Sequence, residues 1–128
     1  MQKNKKNWVQ IRQFKEYYFS GKYEIDNCGN IRNVKTKKPL KTYENHVGRY
    51  LKTKITDVYG TRRALYIHQL VAYYFIKNEN FLKMDVDHID GNKKNNYFKN
   101  LRYLTHAENV RAYWRRRENE RSREKTAC

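Results

Sequence analysis

The architecture of this 128-residue chain can be inferred outward from one stretch, Asp85-Val-Asp-His-Ile-Asp-Gly-Asn-Lys-Lys-Asn-Asn96. It predicts a short strand that runs into a turn-rich loop, with Gly91 allowing a tight turn. Three of the five Asp residues of the chain fall within six positions here, although the protein otherwise collects positive charge. His88 lies between two of them, and Lys93 and Lys94 follow. Carboxylates, an imidazole and lysines in this order suit metal-assisted phosphodiester chemistry.

Two other interpretations fit parts of this stretch. A calcium-binding EF-hand loop begins with Asp-x-Asp, but it requires Gly at the sixth position and Glu at the twelfth, where this chain has Asp90 and Asn96. A plain Asp-Gly turn beside a solvated histidine would account for Asp90-Gly91 alone. It does not account for the sequence that follows.

Downstream, Leu101–Leu104 predicts a second short strand, and a helix is expected to begin at Thr105. Thr105-His-Ala-Glu108 is a capping box, in which the hydroxyl and the carboxylate satisfy the first free N–H groups of a helix. The predicted inner face of this helix comprises Ala107, Val110, Arg111 and Trp114. A strongly basic continuation follows it.

Upstream, the pattern predicts small antiparallel sheets and one helix. Residues 23–34 alternate apolar and polar side chains around the turn Asn27-Cys28-Gly29-Asn30, as in a β-hairpin. Residues 49–56 and 63–67 form a second predicted strand pair around Tyr59-Gly60. From Gln69 to about Lys77 the apolar residues recur at helical spacing.

The charge favours a polyanionic partner. Lys and Arg number 29 against 13 Asp and Glu, which gives a net charge of +16 spread along the whole chain. No apolar run approaches the roughly 20 residues of a membrane span, and no secretory signal follows the lysine-bearing start, so an intracellular protein without a membrane partner is expected. Cys28 and Cys128 have no neighbours at metal-ligand spacing, which argues against a zinc site or a disulfide framework.

The combined motifs closely resemble the HNH endonucleases, specifically the homing-type branch of phages, introns and large DNA viruses. The match comprises residues 87–96, Asn100-Leu-Arg-Tyr-Leu-Thr105 and Glu108-Asn109, with residues 66–76 similar to the preceding helix. Further upstream, Trp8, Ile11 and residues 23–34 look like a short module often attached to such nucleases. Tyr103 stands where the family usually has Trp.

The resemblance implies a ββα-metal finger that binds one divalent ion, Mg²⁺ or Mn²⁺, and needs no small-molecule cofactor. Asp87 and Asn109 would be the protein ligands, His88 the general base, and Asn100 the residue that orients the imidazole. Alternatively, Asn109 could be merely exposed on its helix and Asn100 only a turn residue.

Double-stranded DNA is the expected partner, and the basic residues around the motif are its candidate contacts. They are Lys93, Lys94, Arg102, Arg115, Arg116 and Arg117. Arg102 could instead be a solvated strand position and the arginine triplet a solvated charge run. Of the other histidines, His106 is expected on the surface, His68 at the helix start or in packing, and His46 in a loop.

The predicted fold class is α+β: a small N-terminal antiparallel β module plus one helix, then the ββα-metal finger and a basic C-terminal helix. The predicted divisions are residues 1–62, 63–110 and 111–128. The leading functional hypothesis is a DNA endonuclease that leaves 5′-phosphate and 3′-hydroxyl ends. A non-catalytic DNA- or RNA-binding protein that retained the fold is the alternative, and a ribosomal-type RNA binder would explain the charge but not the Asp87, His88, Asn100 and Asn109 set.

Overall fold

The computed structural model describes residues 7–127, and the side chains of residues 7–119. Residues 1–6 and Cys128 lie outside the described part, as do the side chains of the distal end of the predicted basic helix. The strands and helices in chain order are β1 (Val9–Gln10), β2 (Gln13–Phe14), β3 (Tyr17–Tyr18), β4 (Tyr23–Ile25), β5 (Ile31–Asn33), β6 (Tyr43–Glu44), β7 (Leu51–Thr56), β8 (Arg62–Tyr66), α1 (Ile67–Phe75), β9 (Asp85–His88), β10 (Leu101–Leu104) and α2 (His106–Ala127). Single 3₁₀ turns at Phe81–Lys83 and Phe98–Asn100 precede β9 and β10.

All the strands pair antiparallel, in four small sheets. The orders are β1-β4-β5, β2-β3, β6-β7-β8 and β10-β9. Both predicted hairpins are present, as β4-β5 and β7-β8. The α+β class is therefore confirmed, while the very short β1, β2, β3 and β6 carry too few residues to leave a periodic signal.

The helix α1 begins two residues earlier than expected. Strand β8 runs directly into it through Tyr66, which has extended backbone angles, and Ile67 and His68 are already buried in its first turn. The strand-like run of apolar residues before Gln69 concealed this junction. His68 is thus a packing residue at a helix start, as predicted.

One hydrophobic cluster joins the N-terminal strands to the finger. Its buried members are Ile11, Phe14, Phe19, Ile25, Ile31, Ile55, Leu65, Ile67, Leu70, Val71 and Leu101. The proposed division at residue 62/63 falls at the start of β8, whose strand pairs with β7 over five positions. Residues on both sides of this position pack in one core, so the division at 62/63 remains a proposal about modules of the sequence.

The helix α2 docks through a different face from the predicted one, and Arg111 is exposed like the other residues expected to point inward. Ala107 is exposed, and Val110 and Trp114 are 41% and 55% exposed. The inward positions are instead Asn109, Ala112 and Arg116, which recur at helical spacing. The reason is that β9 presents carboxylates to this helix, so its partners had to be polar. No helix in residues 7–127 is long and apolar enough to cross a membrane.

The turn of the first hairpin packs tightly against the finger at Gly29. Its φ is +87°, and a Cβ atom there would lie 2.7 Å from Ile67 Cγ2 and 3.1 Å from Asn96 Cβ. Gly60 has a similar φ of +85° but open space around it. An alanine at Gly60 would meet backbone strain alone, whereas an alanine at Gly29 would meet strain and a steric clash.

We expect Gly29→Ala to lower the free energy of unfolding by about 2 to 5 kcal/mol, from left-handed strain together with overpacking. Gly60→Ala should cost about 1 to 2 kcal/mol, from strain alone. Urea unfolding of the two variants measures the difference, and equal losses would contradict the close contact at Gly29.

Candidate active site

The pairing of β9 with β10 determines where the functional side chains point. Asp87 lies opposite Arg102, and His88 lies opposite Leu101. Because successive side chains of a strand point to opposite faces, Asp85 and Asp87 share one face, where α2 lies, and His88 points to the other.

His88 is nearly fully buried among aromatic rings, with 4% of its surface exposed. The ring of Tyr50 stacks on it with centroids 5.8 Å apart, and the ring of His68 lies 5.1 Å away. Burial lowers the pKa of His88, although its hydrogen bond to Asn96 and the charge of Asp87 act in the opposite direction. The imidazole is therefore neutral near pH 7, the state in which it can accept a proton.

Asn96 holds the imidazole in place. Its Oδ1 lies 2.7 Å from His88 Nε2, in a buried contact. When this oxygen accepts the hydrogen bond, the proton is on Nε2 and the lone pair of His88 is on Nδ1. No described side chain bonds to Nδ1.

Sequence reasoning missed the role of Asn96, which it treated as one of several loop asparagines. The side chain is only 4% exposed, because the turn around Gly29 packs over it. The Phe98 N–H also donates to the Asn27 carbonyl at 2.9 Å, which ties this loop to the first hairpin. Burial against a distant turn leaves no local signal in the sequence.

The family resemblance implies that Asn100 orients the imidazole of His88, but its side chain does not bond to that ring. Its Nδ2 donates to Asp90 Oδ1 and to the Asn95 carbonyl, both at 2.9 Å, and its Oδ1 accepts from the Asp90 N–H. The amide thus closes the loop between β9 and β10, and Asn96 takes the contact with His88. The alternative of Asn100 as a turn residue matches this geometry.

Asp87 is a buried carboxylate paired with two arginines. It is 5% exposed, its Oδ2 accepts from Arg102 Nε at 2.9 Å, and Arg116 Nη2 lies 3.1 Å from both of its oxygens. Arg116 Nη2 also donates to the His88 carbonyl at 2.8 Å. A carboxylate so little exposed requires such charged partners.

Asn109 and His106 both bond to Asp85 from the first turns of α2. Asn109 Nδ2 and His106 Nδ1 each lie 3.0 Å from Asp85 Oδ2. The hydrogen bond from His106, followed by that from Asn109, keeps the pKa of Asp85 below its usual range despite partial burial. His106 is 83% exposed, in agreement with its predicted surface position.

The capping box that starts α2 is formed as predicted. Glu108 N–H donates to the Thr105 hydroxyl at 3.2 Å, and Thr105 N–H donates to the Glu108 carboxylate at 3.1 Å. The cap fixes the first turn of the helix and with it the position of Asn109.

A cavity of about 530 Å³ collects most of the predicted site residues. It is lined by Asp87, His88 and Asn109, together with Lys93, Arg116 and Arg117. A second cavity of about 610 Å³ adjoins it and shares Tyr50 and Asn109. The sequence therefore identified side chains that are distant along the chain but line one space.

The donor set fits a hard divalent cation in its chemistry, since Asp87 and Asn109 offer carboxylate and amide oxygens to this cavity. No group of three or more His, Cys, Asp or Glu in the described residues is arranged to hold a metal. Both Asp87 oxygens accept from arginines, and Asn109 presents its NH₂ group to Asp85. A metal on Asp87 would therefore require Arg116 to withdraw.

The predicted DNA contacts differ in their availability. Lys93 lies over the Tyr50 ring at 4.8 Å, and Lys94 pairs with Glu44. Arg115 and Arg117 are exposed, but only Arg117 lines the cavity. Arg102 and Arg116 bond to Asp87, so neither guanidinium is free in this state.

Replacing Asn96 should remove the preference of His88 for one neutral tautomer. In the parent protein we expect the Nε2–H form, and Asn96→Leu should give a mixture of the two neutral tautomers because the acceptor for Nε2–H is gone. Asn96→Asp keeps an acceptor and should keep the Nε2–H form. Nitrogen NMR of the labelled imidazole distinguishes these outcomes, and an unchanged spectrum in the Leu variant would contradict the role given to Asn96.

Comparisons with known proteins agree with this arrangement. The sequence model of the HNH endonuclease family matches residues 65–111. An uncharacterised HNH endonuclease of Acanthamoeba polyphaga mimivirus is 41% identical over 95 residues, which cover 70% of this chain and 22% of that protein. The DNA endonuclease I-HmuI of Bacillus phage SP01 is 34% identical over 92 residues, which cover 72% of this chain and 51% of that protein.

A solved structure described as DNA binding and cleavage by the HNH homing endonuclease I-HmuI superposes with a TM-score of 0.66 at 33% identity. The superposition covers 92% of this chain and 59% of that one, so the chain spans about half or less of the curated relatives named above. Residues 65–111 therefore match the HNH endonuclease family, and over 92% of its length the chain is similar to a homing-type member of that family.

Proposed function

We propose that this protein is a metal-dependent DNA endonuclease that hydrolyses phosphodiester bonds to 5′-phosphate and 3′-hydroxyl ends. The observation that carries the proposal is that His88, whose buried imidazole is held by Asn96, lines the same cavity as Asp87 and Asn109. The match of residues 65–111 to the HNH endonuclease family and the DNA cleavage named for I-HmuI support it.

In this proposal His88 is the general base. Its neutral ring accepts a proton from a water molecule, and the water oxygen attacks the phosphorus while the bond from phosphorus to the 3′ oxygen breaks. The 5′ side keeps the phosphate, the leaving 3′ oxygen takes a proton from solvent water to become a hydroxyl, and His88 returns its proton to solvent. Asn96 and the stacked Tyr50 ring fix the direction of the imidazole during this transfer.

Asp87 and Asn109 would hold one divalent ion, Mg²⁺ or Mn²⁺, which supplies stabilisation of the negative charge on the phosphate and the leaving oxygen. HNH nucleases generally use such an ion. Asp85 lies on the same face of β9 as Asp87 and orients the Asn109 amide through its hydrogen bond to Nδ2. Asn100 contributes through the loop that it closes.

Double-stranded DNA is the proposed substrate. A net charge of +16 favours a polyanion, and Lys93 and Arg117 stand on the cavity that would take the scissile phosphate. The alternative is a non-catalytic DNA- or RNA-binding protein that retained the fold. It predicts binding without cleavage and indifference to replacement of His88.

We expect His88→Ala to reduce plasmid cleavage by about 10² to 10⁴-fold while DNA binding stays nearly intact, because the imidazole acts on water. The matched control is His46→Ala, which removes an exposed loop histidine. Supercoiled-plasmid cleavage and filter binding measure the two effects. Cleavage by the His88 variant within a few-fold of the parent would favour the non-catalytic alternative.

Metal dependence should follow the oxygen ligands. Cleavage is expected with Mg²⁺ or Mn²⁺, loss of cleavage with EDTA, and recovery when excess Mg²⁺ is added. Elemental analysis of the purified protein should find no stoichiometric zinc. Tightly bound zinc, or full activity in EDTA, would contradict the proposed metal site.

The arginines of α2 should bind phosphates. Replacing Arg115 and Arg117 together by Gln should flatten the slope of log K against log salt by up to about 2 units, since each phosphate contact contributes about −0.9 on B-DNA. The loss should be similar for unrelated duplexes, because phosphate contacts do not read bases. An unchanged slope in titrations at several salt concentrations would mean that these arginines form only a solvated charge run.

A further inference from the structure

Arg116 places a positive charge where the proposed metal ion would need to bind. Its Nη2 contacts both oxygens of Asp87 and the carbonyl oxygen of His88, so three oxygens surround one donor group. The side chain crosses Gly91, where a Cβ atom would lie 3.2 Å from Arg116 Cδ. A path this close to the backbone indicates a defined position for the guanidinium and not a loose surface contact.

The contact also fastens α2 to the finger. Among the side chains of residues 7–119, Arg116 is the most C-terminal one of α2 with a hydrogen bond to the rest of the fold. The other attachments, through His106, Asn109 and the buried Ala112, lie within the first two turns of the helix. Withdrawal of Arg116 would therefore free the helix beyond those turns.

Asp87 already carries a second arginine, Arg102, on its Oδ2. A divalent ion bound to the same carboxylate would be repelled by both guanidinium groups at close range, in a site with little water to screen the charges. Arg102 is the more exposed of the two, 45% against 34%, but it bonds only to Oδ2 and does not line the cavity. Arg116 covers both oxygens from the side of the cavity, so it is the partner that an ion entering from the cavity would displace.

We propose that Arg116 is a placeholder cation: it occupies Asp87 while no metal is bound, competes with the divalent ion for that carboxylate, and is released when the ion enters. The released guanidinium faces the cavity of the proposed scissile phosphate, which is a suitable partner for it. A DNA phosphate that attracts Arg116 therefore opens the carboxylate to the metal, and the metal frees Arg116 for DNA. The two ligands reinforce one another by linkage.

This inference rests on the proposed metal site, and its test uses metal binding without DNA. Mn²⁺ is titrated into the full chain, and free Mn²⁺ is measured by electron paramagnetic resonance. Arg116→Gln should bind Mn²⁺ about tenfold more tightly than the parent, within the usual range of coupling between sites. Arg115→Gln removes the same charge from an exposed neighbouring position and should change the affinity by less than about twofold, because distant exposed charges are screened.

Asp87→Asn separates the two possible failures. If Mn²⁺ binding is lost in this variant but is equal in the parent, Arg116→Gln and Arg115→Gln, the placeholder role is wrong and the proposed metal site stands. If no binding depends on Asp87, the proposed metal site fails and the placeholder role fails with it.

Hydrogen exchange on the parent protein gives a second test that needs no variant. Mn²⁺ should speed amide exchange in residues 113–119 of α2 and leave the capped first turn unchanged, since the anchor at Arg116 is lost. Slower or unaltered exchange in residues 113–119 would mean that Arg116 stays on Asp87 with the metal, and would overturn the proposal.

Discussion

The buried carboxylate of Asp87 is the interaction on which the arrangement of the finger depends. A charge with so little exposure must be paired, and its two partners come from different elements, Arg102 on β10 and Arg116 on α2. The pairing therefore holds a strand and a helix against β9 at one point. It also explains why α2 docks with a polar face, because an apolar stripe over Asp85 and Asp87 would leave Asp87 with Arg102 alone and Asp85 without its bonds to His106 and Asn109.

The opposite face of the same strand depends on the rest of the fold. His88 is buried by Tyr50 and His68 and is held by Asn96, which is itself covered by the turn around Gly29. Burial lowers the pKa of His68 to about 3, so it adds a second neutral ring beside His88 and no positive charge. The N-terminal strands thus complete the environment of the imidazole, and they share one hydrophobic core with the finger.

The site is locally rich in carboxylates, whereas the protein as a whole is strongly basic. The chain carries +16 overall, yet three of its five Asp residues lie on or beside β9. Asp85 and Asp87 face α2, and Asp90 is satisfied by Asn95, Asn92 and Asn100 in the loop. A local patch of carboxylates in a basic protein is suited to hold a cation next to a polyanion, which neither a uniformly basic surface nor an acidic one would do.

The sequence alone determined the elements whose signals are local. The capping box at Thr105 and Glu108, the two hairpins and the Asp-His pair on a short strand each depend on residues within a few positions of one another, and each is present. The partners of the site residues were decided by tertiary structure. Asn96 rather than Asn100 bonds to His88, because the loop folds back under a turn nearly 70 residues earlier. Arg116 bonds to Asp87, because α2 crosses β9 about three turns after its cap. A hydrogen-bond partner is selected by three-dimensional proximity, and several asparagines and arginines of equal chemistry were available in the sequence to fill each place.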